Sequence, residues 1–450
     1  MKYAEDNAVK ALAAAFGRDM GRVLPNVKKL TTDALRAPLP TDDETQGYAV
    51  GSRWISQGQE WLYAGEGRWI RTVEVTPQAF GVRGDGVAND TAAIQAAINW
   101  LRDQGGGTLR VPAGFYLVRA SAETTQLWNV DAPVAASTGC LIVWPGISLV
   151  ADDDALIYTD DPRLTVIYQI EPSKTRVSGL EISGSWTFGQ PGAGSGIFSL
   201  SLTQNGEFNT DDCEWSNLTI RNVASYALGL QNGNPSRCTI RRIRADYTGA
   251  DALDLKARHG TAEAIGNTVS DVVVTRHGNR VTGSAGIDCR GVWNVSCVTV
   301  QDFGAINPAH EYMGVRFRTK PAPSDPYPAG ERGSLSQFYI DCSAGAIAGA
   351  VCDGVVSGSD DVTVQTGYIR KPRYGVQLTG NSNGVPERNK VIGVTVTDAA
   401  QYSFFAGTDV KEASFSSCVS MGALAAGWRN LGQNTSIQGK SIGDAAPIST

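Results

Sequence analysis

With 450 residues, the chain is longer than an ordinary single domain, although one elongated β fold can absorb that length. Its formal net charge of -6 gives no support to nucleic-acid binding, which would show a basic stripe, so we expect no nucleic-acid partner. No run of about 18 apolar residues occurs, so the sequence predicts no membrane insertion.

Composition points to a β-rich protein. Glycine is frequent, with 51 residues, and β-branched residues recur in short runs, which predicts many strands and many turns. The eight cysteines are scattered singly, without a zinc spacing, so we expect reduced core residues, including Cys289, Cys297 and Cys342, and no metal or other cofactor. The first residues lack the features of a signal peptide, which favours synthesis in the cytoplasm.

The first 40 residues are predicted to form a short arm. Their apolar positions follow helical spacing (Val9, Leu12, Ala13 and Phe16), and a proline-containing connector comes next. The segment buries too little to fold alone. It could attach the protein to a partner or be a flexible extension, and the sequence leaves both open.

Residues 41–74 are predicted to form a small module of two or three antiparallel strands. Aromatic residues alternate there with polar residues and glycine turns: Tyr48, Trp54, Trp61, Tyr63 and Trp69. Exposed aromatics can stack on sugars. In so small a module they more often form its entire core, and we favour that interpretation.

A sharp boundary follows at residue 75. The run from Val75 to Thr91 leads into an amphipathic helix, capped by Asn89 or Asp90 and ended by Gly105-Gly106-Gly107. The apolar stripe of this helix consists of Ile94, Ala97, Ile98 and Leu101. Residues 108–118 are then predicted to form a strand, a turn and a second strand.

This segment closely resembles the opening cap of the pectate-lyase-like right-handed β-helix of bacteriophage tailspikes and polysaccharide depolymerases. The resemblance implies an all-β fold, a single-stranded right-handed parallel β-helix over residues 75–420, whose first rung is plugged by the helix. It also implies assembly as a parallel homotrimer. Short apolar runs recur from Ile142 to Ser420 at spacings of about 20 to 40 residues, which is typical of a solenoid. Residues 421–450 are predicted to cap the last rung or to pack against a neighbouring chain.

Three segments within the solenoid share one alternating pattern of apolar and charged residues: 252–256, 286–290 and 314–318. Alternation predicts strands with one buried face. If the strands are successive rungs, spaced roughly 4.8 Å apart, two outward columns result. One column contains Asp254, Asp288 and Arg316, and the other contains Lys256, Arg290 and Arg318.

Two of these segments also resemble polygalacturonase-type glycosidases. In residues 249–256, Asp251 stands where that family has its usual general acid, and Lys256 matches its lysine. Residues 314–319 resemble the family's substrate-binding strand, with Arg318 in the lysine place. The chain departs from the pattern at Ala250, which replaces the first aspartate, and at residues 285–288, which replace a Gly-His-Gly step.

Glycoside cleavage needs two carboxyl groups, one of which has a raised pKa. We therefore predict Asp254, Asp288 and Asp251 as catalytic residues. The pair Asp254–Asp288 suits the separation of a retaining enzyme, about 5 to 5.5 Å, whereas Asp251, expected to lie farther from Asp288, suits the 6.5 to 9.5 Å of an inverting enzyme. The predicted substrate-binding residues, which would hold acidic groups of the glycan, are Lys256, Arg290, Arg316 and Arg318. The alternative is a salt-bridge ladder on a solvated face.

Together these features predict a tailspike of the phage virion, synthesised in the host cytoplasm, that hydrolyses a bacterial surface polysaccharide, either capsule or O-antigen. The N-terminal arm would bind a phage tail or baseplate protein. Two other functions remain open. A polysaccharide lyase would use the same cations for β-elimination, and a non-catalytic fibre would only bind glycan or serve as a structural base.

Overall fold

A computed structural model describes residues 29–449 of the chain, except 35, 50–51, 57–58, 66–67, 72, 122–126, 129–132, 135–138, 201–207, 232, 257–265, 319–331, 381–383, 385 and 445–447. The helix predicted around Val9 to Phe16 lies outside the described residues. The chain divides into two compact units, one comprising Met1–Val75 with Leu101–Thr108 and the other Thr76–Trp100 with Leu109–Thr450.

Most of the described residues that have regular structure lie in strands. The first half of the strands is β1 (Leu30–Ala34), β2 (Arg53–Ser56), β3 (Gln59–Gly65), β4 (Arg68–Arg71), β5 (Glu74–Val75), β6 (Asp85–Asn89), β7 (Gly107–Val111), β8 (Gly114–Leu117), β9 (Leu127–Trp128), β10 (Pro133–Val134), β11 (Gly139–Val143), β12 (Ile147–Ala151), β13 (Ala155–Tyr158), β14 (Thr165–Ile170), β15 (Arg176–Ser178), β16 (Glu181–Ser183), β17 (Ile197–Leu200), β18 (Phe208–Asp211) and β19 (Glu214–Val223). The second half is β20 (Leu228–Leu230), β21 (Gly233–Ser236), β22 (Thr239–Thr248), β23 (Leu253–Lys256), β24 (Thr268–Thr275), β25 (Ser284–Arg290), β26 (Asn294–Gln301), β27 (Glu311–Phe317), β28 (Ser334–Asp341), β29 (Val351–Ser357), β30 (Thr363–Arg370), β31 (Tyr374–Leu378), β32 (Lys390–Thr397), β33 (Tyr402–Ala406), β34 (Ser414–Met421), β35 (Ala426–Asn430), β36 (Ser436–Ile442) and β37 (Ile448–Ser449). The α-helices in the described part of the chain are α1 (Thr91–Asp103) and α2 (Ser343–Ala348).

The N-terminal unit contains a four-stranded sheet in the order β1-β2-β3-β4. The pairs β2–β3 and β3–β4 are antiparallel, as predicted, whereas β1, which comes from the predicted arm, pairs parallel to β2. Tyr48, Trp54 and Tyr63 are buried together, with Trp61 packed against them. The interpretation of these aromatics as the core of the module is therefore confirmed.

The predicted amphipathic helix is present as α1. Its four stripe residues are buried, and the Asn89 side chain accepts a hydrogen bond from the Thr91 backbone N–H at 3.2 Å. In the larger unit, Gln95 exchanges two hydrogen bonds with the backbone of Ile142 on β11, at 3.0 and 2.9 Å. Closure of the solenoid core by this helix stays a prediction.

The larger unit is a right-handed parallel β-helix, as predicted, because its strands stack as successive coils of two long parallel sheets. One sheet has 12 strands, in the order β11-β14-β17-β20-β23-β25-β27-β29-β31-β33-β35-β37. In the other long sheet, each strand from β19 onward pairs in parallel with the next, in the order β19-β22-β24-β26-β28-β30-β32-β34-β36. The coil pattern continues beyond Ser420, since β35 pairs with β33 and β36 pairs with β34.

Long strands of the second sheet bend at a single residue. The bend residues occupy one register position on successive rungs and share the left-handed conformation. Gly393 holds this position on β32, and the others are Asn217, Arg242, Asp271, Cys297, Gln337, Thr366 and Ser417, with φ between 50° and 55°. This conformation costs energy for residues other than glycine, so the stacking of rungs must stabilise it. Cys297 is exposed because it lies at this bend, so the prediction that it is a core residue is wrong. The other cysteines, including Cys289 and Cys342, are buried and all are free.

Side chains alternate between the core and the outside along β33. Phe404 is buried, and its ring centroid lies 4.3 Å from that of Trp428 on the next rung. The next residue, Phe405, points outward and is half-buried.

We expect Phe404→Ala to lower the free energy of unfolding by about 3 to 5 kcal/mol, because it opens a cavity. The matched variant Phe405→Ala should cost about 1 kcal/mol.

The two values can be obtained from urea titrations followed by tryptophan fluorescence. Equal losses in both variants would contradict the alternation described for β33.

Candidate active site

The three charged segments lie on successive rungs of the 12-stranded sheet, as their pattern predicted. Asp254 of β23 pairs with Asp288 of β25, and Asp288 pairs with Arg316 of β27. Lys256 lies opposite Arg290 in the neighbouring column. The apolar residues between them face the core and are buried: Leu253, Leu255, Ile287, Cys289, Val315 and Phe317.

The three carboxylates do not lie on the solvated face that the alternative, a salt-bridge ladder, requires. Asp254 and Asp288 are 0% exposed and Asp251 is 6% exposed. The covering cations account for the difference, since Lys256 and Arg316 lie folded over the carboxylates with only 9% and 11% of their side chains exposed. An exposed ladder of weak ion pairs is thereby excluded for these residues.

Every carboxylate of this group contacts a cation. Arg316 Nε lies 2.7 Å from Asp288 Oδ1, and Arg318 Nε lies 2.8 Å from Asp288 Oδ2. Arg316 Nη2 also reaches Asp251 Oδ1 at 3.4 Å, and Lys256 Nζ lies 3.0 Å from Asp254 Oδ2. We call these three aspartates, together with Lys256, Arg316 and Arg318, the carboxylate cluster.

Asp251 lies closer to its neighbours than the sequence suggested. One oxygen atom of each of Asp251, Asp254 and Asp288 falls within 4.8 Å of the other two. The chain turns just before β23, and the Asp251 side chain accepts a hydrogen bond from the backbone N–H of Ala285 on the next rung at 2.5 Å. The expected wide separation of Asp251 from Asp288 is therefore wrong.

The environments of Asp251 and Asp288 push their pKa values apart. Burial raises the pKa of Asp251 to about 6, with Arg316 opposing the shift and the charges of Asp288 and Asp254 adding to it. Burial acts on Asp288 too, but Arg316 and Arg318 outweigh it and hold the pKa of Asp288 below its ordinary value. Near neutral pH the cluster thus contains one carboxyl group that readily gains or loses a proton and one that stays ionised.

Gln231 is a member of the site that the sequence analysis missed. Its side-chain Nε2 donates to Asp254 Oδ2, and the other oxygen, Asp254 Oδ1, is buried and has no hydrogen-bond partner among the described residues. Gln231 directly follows β20, which pairs with β23, so adding residues 228–231 as a rung before the three predicted ones would have placed Gln231 beside Asp254.

The remaining predicted residues lie at the edge of the cluster. Arg318 is the most exposed of its cations, with 32% of its side chain accessible, and Arg290 is half-buried next to Lys256. Residues 257–265 and 319–331, which follow β23 and β27, lie outside the described residues.

Comparisons with known proteins fit this picture at the level of the fold. No family model matches the chain. Mannuronan C5-epimerase AlgE6 of Azotobacter vinelandii is 31% identical over 165 residues, which are 36% of this chain and 15% of that relative. Alginate lyase 7 of the same organism is 37% identical over 78 residues, 17% of this chain and 8% of the relative.

A prophage relative and a solved structure cover more of the chain. The SPbeta prophage-derived uncharacterized protein YomE of Bacillus subtilis is 22% identical over 235 residues, 50% of this chain and 33% of the relative. The A-module of the Azotobacter vinelandii mannuronan C-5 epimerase AlgE4 superposes with a TM-score of 0.56 and 17% identity, over 84% of this chain and 98% of that module. The chain therefore shares the right-handed β-helix fold of that module.

The shifted pKa of Asp251 can be tested directly. Difference infrared spectra between the unsubstituted chain and Asp251→Asn should show one carboxylic-acid band that disappears with a midpoint near pH 6, because burial favours the protonated form. Asp160→Asn, which removes an exposed carboxylate paired with Arg119, should leave that band unchanged. Absence of a titrating acid above pH 5 would contradict the described environment of Asp251.

Proposed function

We propose that the chain is a polysaccharide-cleaving enzyme whose active site is the carboxylate cluster, with Asp251 as proton donor and Asp288 as the ionised partner. The observation that supports this assignment is the convergence of the three carboxyl groups within 4.8 Å at the outward side of one sheet. Glycoside hydrolysis requires such a pair, with one acid that is protonated near neutral pH and one that is not. Asp251 has the raised pKa, and of the three carboxylates it is the one with some exposure.

Substrate must displace a cation to reach the pair. Arg318 is the cation most easily displaced, because its side chain is the most exposed in the cluster and it contacts only one oxygen of Asp288, Oδ2. When an acidic group of the glycan binds Arg318 in fork geometry, Asp288 loses one of its two partners. Binding of an acidic substrate would then expose the carboxylate that the reaction needs. The short separation of the carboxyl groups favours the retaining over the inverting geometry.

The biological setting that we propose is a phage tailspike acting on a bacterial surface polysaccharide, either capsule or O-antigen. The resemblance of residues 75–118 to the tailspike cap and the similarity to a prophage-derived protein support it. In this proposal the N-terminal arm attaches the protein to the phage tail or baseplate, and three copies form a parallel trimer. No described helix is long and apolar enough to cross a membrane.

A second candidate is cleavage by β-elimination, and the position of the cations favours it. Arg318 is the most accessible charged side chain of the cluster, with 32% of its side chain exposed, so an approaching uronate meets this cation first. β-Elimination removes the proton from the carbon next to the uronate carboxylate, and a cation that neutralises this carboxylate makes the proton easier to remove. Relatives of the chain include an alginate lyase and epimerases that act on mannuronan, which are enzymes of uronate polymers.

The first test uses purified acidic polysaccharides of candidate hosts, incubated with the unsubstituted chain and with Asp251→Asn, Asp254→Asn and Asp288→Asn. We expect new reducing ends without the ultraviolet absorbance of unsaturated uronates. Asp251→Asn should lower kcat by about 100-fold or more, because the general acid is lost. Reducing ends that appear together with the absorbance would establish the lyase instead.

Asp353→Asn is the matched control. Asp353 is likewise buried on the 12-stranded sheet and paired with an arginine, Arg373 at 2.6 Å, but it lies outside the cluster. Its substitution should reduce stability and leave kcat within about threefold of the unsubstituted chain. Binding without turnover by the unsubstituted chain on every polysaccharide would leave the non-catalytic fibre as the function.

The pH dependence separates the two reactions. If Asp251 donates a proton, kcat for hydrolysis should fall as the pH rises through about 6, because the acid becomes ionised. A lyase that uses a basic group should instead gain rate as the pH rises. Initial rates measured between pH 4.5 and 8.5 on one substrate check this, and a flat profile would contradict both assignments.

A further inference from the structure

The outward face of the 12-stranded sheet carries a patch of aromatic residues beyond the carboxylate cluster. Tyr374 of β31 and Tyr402 of β33 pair in register and their ring centroids lie 5.9 Å apart. The ring of Phe405 lies 5.3 Å from Tyr374 and 5.9 Å from Tyr402. All three residues are half-buried. They do not belong to the solenoid core, because the inward positions of these rungs are filled by Val376, Phe404 and Trp428.

Two arginines flank this patch, and they differ in one respect. Arg373 lies over the Tyr374 ring at 5.0 Å and is neutralised by Asp353, with which it forms hydrogen bonds of 2.9 and 2.6 Å. Arg429 lies over the Tyr402 ring at 5.3 Å and donates to the Tyr402 hydroxyl at 2.6 Å. No carboxylate among the described residues pairs with Arg429, and its buried Nε has no hydrogen-bond partner among them. Arg429 is therefore suited to bind an anionic ligand.

The patch lies in line with the carboxylate cluster. Asp288 is followed, rung by rung, by Arg316, Val356, Gln377, Phe405 and Arg429 in one outward column. At roughly 4.8 Å per rung, Phe405 lies about 19 Å and Arg429 about 24 Å from Asp288. A polysaccharide laid along the solenoid from the cluster would therefore reach the patch several sugar residues later.

We propose that Tyr374, Tyr402, Phe405 and Arg429 form a second glycan-binding site, the aromatic platform, which holds a remote acidic sugar of the substrate chain. The aromatic rings offer apolar surface to the C–H face of the sugar, and the tyrosine hydroxyls offer polar contacts. Arg429 binds the carboxylate of that sugar in fork geometry. This inference rests on the proposed function for its ligand, but its site is separate from the carboxylate cluster.

A comparable tyrosine pair on the other long sheet lacks the feature that marks the platform. Tyr339 and Tyr368 stack with ring centroids 5.8 Å apart and an angle of 7°. Their hydroxyls are bonded to Asp341 and Thr397, and the neighbouring Arg370 is paired with Asp341 at 3.5 Å. Arg370 is thus already paired with a carboxylate of the protein, which makes Tyr368 and Arg370 matched controls.

The test measures binding rather than turnover, in full-length chains that all carry Asp251→Asn. The ligands are oligomers of polymannuronate, polygalacturonate and hyaluronan, each offered in its acidic form and in its carboxyl-reduced form, with dissociation constants from calorimetry. We expect Arg429→Gln to weaken binding of the acidic form of the bound ligand about tenfold, the loss expected for one charge-assisted hydrogen bond, and to leave the reduced form unchanged. Tyr402→Leu should weaken both forms, whereas Tyr368→Leu and Arg370→Gln should change neither.

The outcomes distinguish the platform from the proposed function. Unchanged affinity in Arg429→Gln and Tyr402→Leu, or an equal loss in the control variants, overturns the platform even when the unsubstituted chain cleaves its substrate. The platform is also overturned if the Asp251→Asn chain binds none of the acidic oligomers. Loss of binding in the platform variants alone supports it, even for a chain in which no cleavage is found.

Discussion

Backbone pairing between successive rungs is the constraint on which the rest of the structure depends. In a parallel sheet a shift of one residue would move every side chain to the opposite face, so the register is fixed wherever one face is buried. Here the buried faces of β23, β25 and β27 consist of large apolar residues, including Leu255, Ile287 and Phe317. Their burial determines the register, and the register in turn places Asp254, Asp288 and Arg316 next to one another.

The carboxylate cluster shows how charges can be buried on such a face. Removing a carboxylate from water costs several kcal/mol, and the cost is met only with close, well-oriented partners. Asp288 has two arginine partners at 2.7 and 2.8 Å, on the rung that follows it. A well-packed apolar replacement is often at least as stable as a buried ion pair, so stability alone does not explain this arrangement. In the proposed function, the arginines keep Asp288 ionised and covered, and an acidic ligand that binds Arg318 uncovers it. A comparison of the Asp288 and Asp353 variants would separate this role from a structural one.

Much of the fold and part of the site could be predicted from the sequence, for identifiable reasons. Alternation along residues 252–256, 286–290 and 314–318 was enough to predict three rungs in register, because the period of a strand is fixed by its backbone. Burial of the outward aspartates could not be predicted, since it depends on how Lys256 and Arg316 fold over them. The position of Asp251 was missed for a similar reason, because the turn before β23 brings its side chain to the backbone of Ala285. Cys297 was misplaced because the bend residue of a rung has no sequence signal when it is not glycine.

In the proposed function, the outward columns allow one solenoid to combine chemistry and binding. Inward positions must be apolar on every rung, but an outward position can change from rung to rung at little cost to the fold. From Asp254 onward in its outward column the side chains change from carboxylates to a guanidinium, then to Val356 and Gln377, and then to Phe405 and Arg429 of the aromatic platform. A linear polymer bound parallel to this column would contact these groups one after another. Contacts far from the reacting bond can contribute to rate when their binding energy offsets a cost at the reacting centre. In this proposal, binding energy from the aromatic platform offsets the displacement of Arg318 from Asp288.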